Sequence, residues 1–202
     1  MNQNYNIDPD KWNYTDITNQ HLNSLQGNSL EIIETDFQSC IFKGCSFIET
    51  NFKNCKFEDC QFQNCDLSLA KFTSSAFVNV KFIESKLVGI DWRKASIPFS
   101  LDVQFDNCNI SNSIFVGLNL QHLKIINCQA KEANFEETNL INAKCTGSDF
   151  YKSRFQNTNL TKADFSNAKN YAIDYKYNKI KQAKFSLPEA VSLLNGLEII
   201  LE

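Results

Sequence analysis

Only three prolines and six glycines occur in 202 residues, and a 43% hydrophobic, 12% aromatic composition excludes a disordered chain. Histidine is almost missing: His21 and His122 stand far apart, and neither belongs to a catalytic motif. No glycine-rich phosphate loop and no Cys-x-x-Cys pair is present, so two common routes to nucleotide or metal chemistry are closed. No stretch is long and apolar enough to span a membrane. The segment Met1-Asn2-Gln3-Asn4-Tyr5 lacks both a basic start and an apolar core, so a secretory signal is not expected and cytoplasmic residence is. Neither charge sign dominates: 20 basic residues face 23 acidic ones, for a net charge of −3. Direct nucleic-acid binding asks for a basic stripe and is not expected.

What the chain does have is a grid. Of its 17 phenylalanines only Phe99 lies off a five-residue spacing. One run reads Phe37, Phe42, Phe47, Phe52, Phe57, Phe62, Leu67, Phe72, Phe77, Phe82, Leu87, Trp92. A second run, from Phe105 through Ile110, Phe115, Phe135, Phe150 and Phe155 to Phe165, keeps the spacing after a shift of three residues. Two positions before each large residue stands a small or medium one, such as Thr35, Cys40, Cys45, Ser75, Cys108, Ala133 or Ser148. The remaining positions are mostly polar. A repeat of this regularity dictates architecture before any motif does.

A helix has no use for this pattern, because five residues advance it by about 500° and successive large residues would land roughly 140° apart. A long strand fails too, since its sides alternate with period two. A short strand followed by a corner fits: small residue in, one out, large residue in, two polar residues turning. Repetition winds the chain into a solenoid with a small–large interior and a polar wall. The acidic pairs Glu58-Asp59 and Glu136-Glu137 fall on the outside. A solenoid wall lacks the deep cavity enzymes use, so catalysis, cofactors and bound metal are not expected.

Eight cysteines would ordinarily suggest disulfides or zinc, but here they are spaced by the repeat. Seven fill the small inward column and Cys145 fills a large inward position, as small hydrophobes do. They are expected to be reduced and structural, which favours a reducing compartment.

Three segments interrupt the grid. Residues 1–30 read as a cap or irregular first coil, residues 31–185 as the solenoid with a break at 93–104, and residues 186–202 as a helix and strand. The break contains Ser96, Ile97, Pro98, Phe99, Ser100 and Leu101. Pro98 donates no ladder hydrogen bond, so it belongs at a bulge or loop. That loop either packs locally or protrudes as a recognition element. In the tail, Ser186 and Glu189 form a capping-box pattern, and Leu187, Ala190, Val191, Leu194 and Leu197 are candidates for a dimer interface. Leu197-Glu198-Ile199-Ile200-Leu201 reads as a final strand. If a turn holds twenty residues, Lys53, Lys71, Arg93 and Lys94 share a face as a small basic strip able to meet an acidic partner.

The pattern small–x–[Phe/Leu]–x–x, as in Cys40-Ile41-Phe42-Lys43-Gly44 and Ala163-Asp164-Phe165-Ser166-Asn167, resembles the pentapeptide-repeat family. The resemblance implies an all-β fold: a right-handed, quadrilateral parallel β-helix with four pentads per turn. Ile97-Pro98-Phe99-Ser100, Phe135-Glu136-Glu137-Thr138-Asn139-Leu140 and the helical tail are similar to the Qnr quinolone-resistance and McbG microcin-immunity group within that family. That group implies a homodimeric, non-enzymatic rod that contacts DNA gyrase or topoisomerase IV and protects it from a drug or peptide toxin. The other expectation is a rigid scaffold or adaptor for a different protein partner.

Overall fold

The computed structural model describes residues 8–197 and 199. Three-residue strands carry one buried residue between two outward ones, as in Asp36–Gln38 and Gln61–Gln63. Each strand pairs in parallel with a strand twenty residues away: Ile17 opposite Phe37, Phe37 opposite Phe57, Phe57 opposite Phe77. Four pentads therefore close one turn, and about eight turns stack into a parallel β-solenoid with a short helix at its end.

Two walls carry continuous ladders. One runs through Asp16–Thr18, Asp36–Gln38, Lys56–Glu58 and Ala76–Val78. The next runs from His21–Asn23 through Ile41–Lys43, Gln61–Gln63, Val80–Ile83 and Val103–Asp106 to Lys124–Ile126. The other walls are held largely by single bridges such as Asn51–Lys71, Asp91–Ile114 and Asp66–Lys86.

The corners explain the polar pairs. Asn19, Asn54, Asn64, Asn79, Asn107 and Asn127 all sit near φ +50°, the left-handed region that asparagine tolerates better than most residues. Their N–H groups bond the next coil, as in Asn54 N to the Thr73 carbonyl at 2.9 Å. Inside, rings stack along the axis: Phe42 on Phe62 at 4.4 Å, Phe62 on Phe82 at 5.0 Å, Phe115 on Phe135 at 4.9 Å. Neighbouring walls meet edge to face, the other favoured aromatic geometry.

The small column does more than fill space. Its hydroxyls and thiols donate to carbonyls 23 residues back, one coil away: Thr35 to Trp12 at 2.7 Å, Cys60 to Phe37 at 3.4 Å, Ser148 to Ile125 at 2.8 Å. Ser75 bridges two groups, donating to the Phe52 carbonyl and accepting from Cys55 N–H, both at 2.9 Å. Ser75→Ala leaves both buried groups without a partner and is expected to cost about 2 kcal/mol. Urea unfolding checks this; a loss no larger than that of an exposed serine such as Ser29 contradicts the bridging role.

The amino end is closed by a plug. The turn Pro9–Lys11 leads into Trp12, which is buried against Phe37, Phe42 and Phe47. Gly27 takes a position that elsewhere holds a large residue. A Cβ there would meet the Phe47 ring at 2.8 Å, so glycine is what lets the ring and Pro9 fill that end.

At the other end the helix spans Glu189–Leu197 and is 3₁₀ rather than α. The expected capping box does not form: the Ser186 hydroxyl accepts from Asn167 N–H at 3.1 Å, one coil below. The final strand read from Leu197 to Leu201 lies mostly outside the described residues.

Candidate protein-docking surface

The break is a three-residue insertion with sharp edges. Ser96 N–H still bonds the Ser75 carbonyl at 2.9 Å, as the twenty-residue spacing requires. From Asp102 onward the offset is 23: Val80 pairs with Val103 and Phe82 with Phe105. Between Gly89 and Asn107 no described residue has a positive φ, so the usual corner is missing and the chain runs outward before returning.

That excursion sorts its apolar residues. Leu101 is buried, Ile97 packs against the core, and Phe99 is 85% exposed. Pro98 and Ser96 are exposed and Ser100 is half-buried. The loop is anchored rather than loose: Asn119 donates to the Phe99 carbonyl at 2.8 Å, Leu101 N–H to the Asn119 carbonyl, and Asp102 accepts from Asn79 N–H at 2.8 Å. Its flanks pack locally and its tip projects.

Lys53 and Lys71 lie on one wall, since Asn51 opposes Lys71 and Lys53 ends the strand beside it, and the Lys94 carbonyl on the next coil accepts from Ser74 N–H at 2.8 Å. The strip's charge is uneven. Arg93 is engaged by Asp91 through two 2.8 Å contacts, and the guanidinium holds the Asp91 carboxyl below its usual range. Lys71 and Lys94 border an open groove of about 650 Å³ whose other sides are Glu49, Leu69, Thr73, Gly89 and Asp91. Leu69 is half-exposed there; in the sequence it looks like any corner residue, and nothing there singles it out.

The tail presents a second apolar surface. A 3₁₀ helix has three residues per turn, so Val191, Leu194 and Leu197 align. All three are exposed, and Leu187 beside them is 80% exposed. Ala190 is half-buried and Leu193 packs on the core, while the Ser192 hydroxyl reaches the Tyr171 carbonyl. The helix is thus tied to the last coil by one side and leaves the other uncovered.

Reactive chemistry is sparse. All eight cysteines are free and buried. Burial pushes the Cys145 thiol up. The hydrogen bonds to Cys40 and Cys45, together with burial, push Cys60 and Cys65 up as well. The same contacts push Cys40 and Cys45 down, Cys40 to about 7, so it is burial of all eight thiols that is expected to leave an aromatic disulfide reagent unreacted until denaturant is added. The sign of the pH effect follows from Cys145. Its folded form favours the neutral thiol, so its contribution is whole below the unfolded thiol value of about 8.5 and is lost as pH rises beyond it. Cys145→Ala should make the alkaline slope shallower in urea unfolding, with Cys60 and Cys65 still contributing in the same direction; an unchanged slope contradicts it. Among the described residues no group of His, Cys, Asp and Glu could hold a metal, and no helix is long and apolar enough to cross a membrane.

Comparison with known proteins gives the same fold. Residues 35–98 match the pentapeptide repeat region, and residues 104–140 and 128–167 match the eight-copy pentapeptide repeats. No curated protein matches the sequence significantly. Two trypsin-treated forms of QnrB1, a plasmid-mediated fluoroquinolone resistance protein, superpose with TM-scores of 0.69 and 0.71 at 21% and 22% identity. They cover 97% of this chain and 95% and 94% of theirs. HetL, a pentapeptide repeat protein involved in heterocyst differentiation regulation from the cyanobacterium Nostoc, gives 0.59 at 16% identity, over 86% of this chain and 89% of its own. At these identities the likeness is one of fold.

Proposed function

Because this chain belongs to the pentapeptide-repeat family, we propose that it is a non-catalytic docking rod. Its partner in this reading is a type II topoisomerase, DNA gyrase or topoisomerase IV, which it protects from a drug or peptide toxin. The observation that carries the reading is Phe99, an aromatic side chain held 85% exposed on an anchored loop midway along the rod, more exposed than any other large apolar side chain among the described residues. Exposed aromatics of this kind are the usual anchors of protein interfaces. The likeness to QnrB1 along nearly the whole chain supports the choice of partner.

The test is gyrase supercoiling with and without ciprofloxacin as the purified protein is titrated in. Restored supercoiling at micromolar protein is the expected result. The absence of both rescue and inhibition at micromolar protein removes the reading. The second reading, a scaffold for another protein, is favoured by the likeness to HetL. A pull-down that returns one consistent non-topoisomerase partner selects it.

The active form in this proposal is a homodimer joined through Leu187, Val191, Leu194 and Leu197, with Ala190 at the edge. An apolar helix face left uncovered suits a two-fold, self-complementary contact. Deleting residues 187–202 should halve the mass seen by light scattering. An unchanged mass excludes the helix as the dimer contact.

A further inference from the structure

The near-neutral total charge conceals an unbalanced pair of walls in the second half of the rod. Lys124, Lys144 and Lys184 stand in one column, joined by the bridges Lys124–Lys144 and Lys144–Asp164 and by the pairing of Asp164 with Lys184. Lys162 sits at the adjoining corner, where its N–H bonds the Lys181 carbonyl at 2.9 Å. Lys179 follows on the next wall, opposite Asn159. Segments 119–127, 139–147, 159–167 and 179–187 build these two walls, and in them these lysines face a single carboxylate, Asp164.

Lys124 donates to the Gln104 side chain at 3.2 Å; the other lysines are free to act outward. Lys144, Lys162, Lys179, Lys181 and Lys184 are exposed and Lys124 is half-buried. None belongs to an ion pair among the described residues. Burial opposes ionisation of Asp164, but hydrogen bonds from Ser166 and the fields of Lys184 and Lys144 outweigh it and keep the carboxyl below its usual range. The column is therefore a row of cations with one fixed anion. Coils are spaced by about 4.8 Å, so the side chains form a continuous ridge rather than scattered points.

We propose that this ridge is a docking surface for an acidic polypeptide segment whose carboxylates are interspersed with aliphatic residues. The aliphatic requirement comes from Ile126 and Ile141, half-buried and set among the lysines. A phosphate backbone gains nothing from them. Nor does the ridge contain an arginine, whose planar fork grips phosphate, and its walls hold no exposed phenylalanine, tyrosine or tryptophan on which bases could stack. The ridge lies on the carboxyl-terminal side of the Phe99 loop and stands whether or not a topoisomerase is the partner.

The test uses the full chain and two probes: a fluorescein-labelled peptide of glutamate interspersed with leucine, and a labelled DNA duplex. Saturable peptide binding is expected, weakening as salt rises because charges beyond about 8 Å are screened at physiological ionic strength. The triple variant Lys144→Glu, Lys162→Glu, Lys184→Glu should weaken it at least tenfold with an unchanged circular dichroism melt. Ile141→Ser should weaken it severalfold. Lys53→Glu with Lys71→Glu, on another wall, should leave it unchanged. The proposal is overturned if the peptide does not bind, if the triple variant binds it as wild type does, or if the duplex binds more tightly than the peptide at equal salt.

Discussion

Phe57→Ala is expected to lose about 4 kcal/mol of stability, near the upper range for any single buried side chain. The ring is sealed from solvent and touches rings on both neighbouring walls. It stacks on Phe37 at 4.9 Å and on Phe77 at 5.4 Å, and meets Phe52, Phe62 and Phe72 edge-on within 6.1 Å. The cost has two parts, the lost transfer of the ring from water and the cavity left behind. The second part is large here because the walls cannot close in: Lys56, Phe57 and Glu58 are laddered to both adjacent coils. Phe150→Ala belongs to the same class. An outward change such as Lys53→Ala should stay within about 0.5 kcal/mol. Guanidinium titrations of the three variants decide the matter, and equal losses would contradict the inward–outward assignment. A solenoid couples only nearest coils, so Phe57→Ala should also broaden the transition as the halves uncouple.

The second large effect concerns function. Phe99→Ser should raise the protein concentration needed to protect gyrase at least tenfold, which corresponds to about 1.4 kcal/mol of lost binding, while the melting temperature stays unchanged. Nothing inside the rod depends on that side chain. The anchors of the loop are backbone and flanking groups: the Phe99 carbonyl, Leu101 N–H and the Asp102 carboxylate. Deleting residues 98–100 removes the projection and brings the ladder positions on either side back to a twenty-residue interval. Full protection by Phe99→Ser would mean that the partner meets a different part of the surface. Loss of melting temperature together with protection would mean that Phe99 has a structural task.

Much of the fold is legible in the sequence because its determinants are local and periodic. Each inward position repeats its requirement every five residues, so Phe37 through Phe82 announce the core without any long-range information. The twenty-residue closure is not legible from the residues themselves, since pairing between coils depends on corner geometry, and it enters through family resemblance. The bonding role of the small column escapes a sequence reading as well. Cys60 and Ser75 look merely small, and only the stacked coils reveal the carbonyls they reach. The tail misleads because a capping-box pattern is a local signal, and Ser186 is claimed instead by Asn167 of the preceding coil. The lysine column is visible at intervals of twenty once closure is known, running Lys124, Lys144, Asp164, Lys184. Charge totals hide it, because they carry no information about which wall a residue occupies.

The insertion between Ser96 and Asp102 has a consequence for how such a rod diversifies. The coils above and below it meet as if the extra residues were not there: Val80 faces Val103, and Phe82 stacks on Phe105 at 5.5 Å. Length and chemistry at that point are therefore free variables for natural selection, while the axis stays invariant. In this architecture a new specificity arises by splicing an appendage between two rungs, with no need to remodel the trunk that carries it.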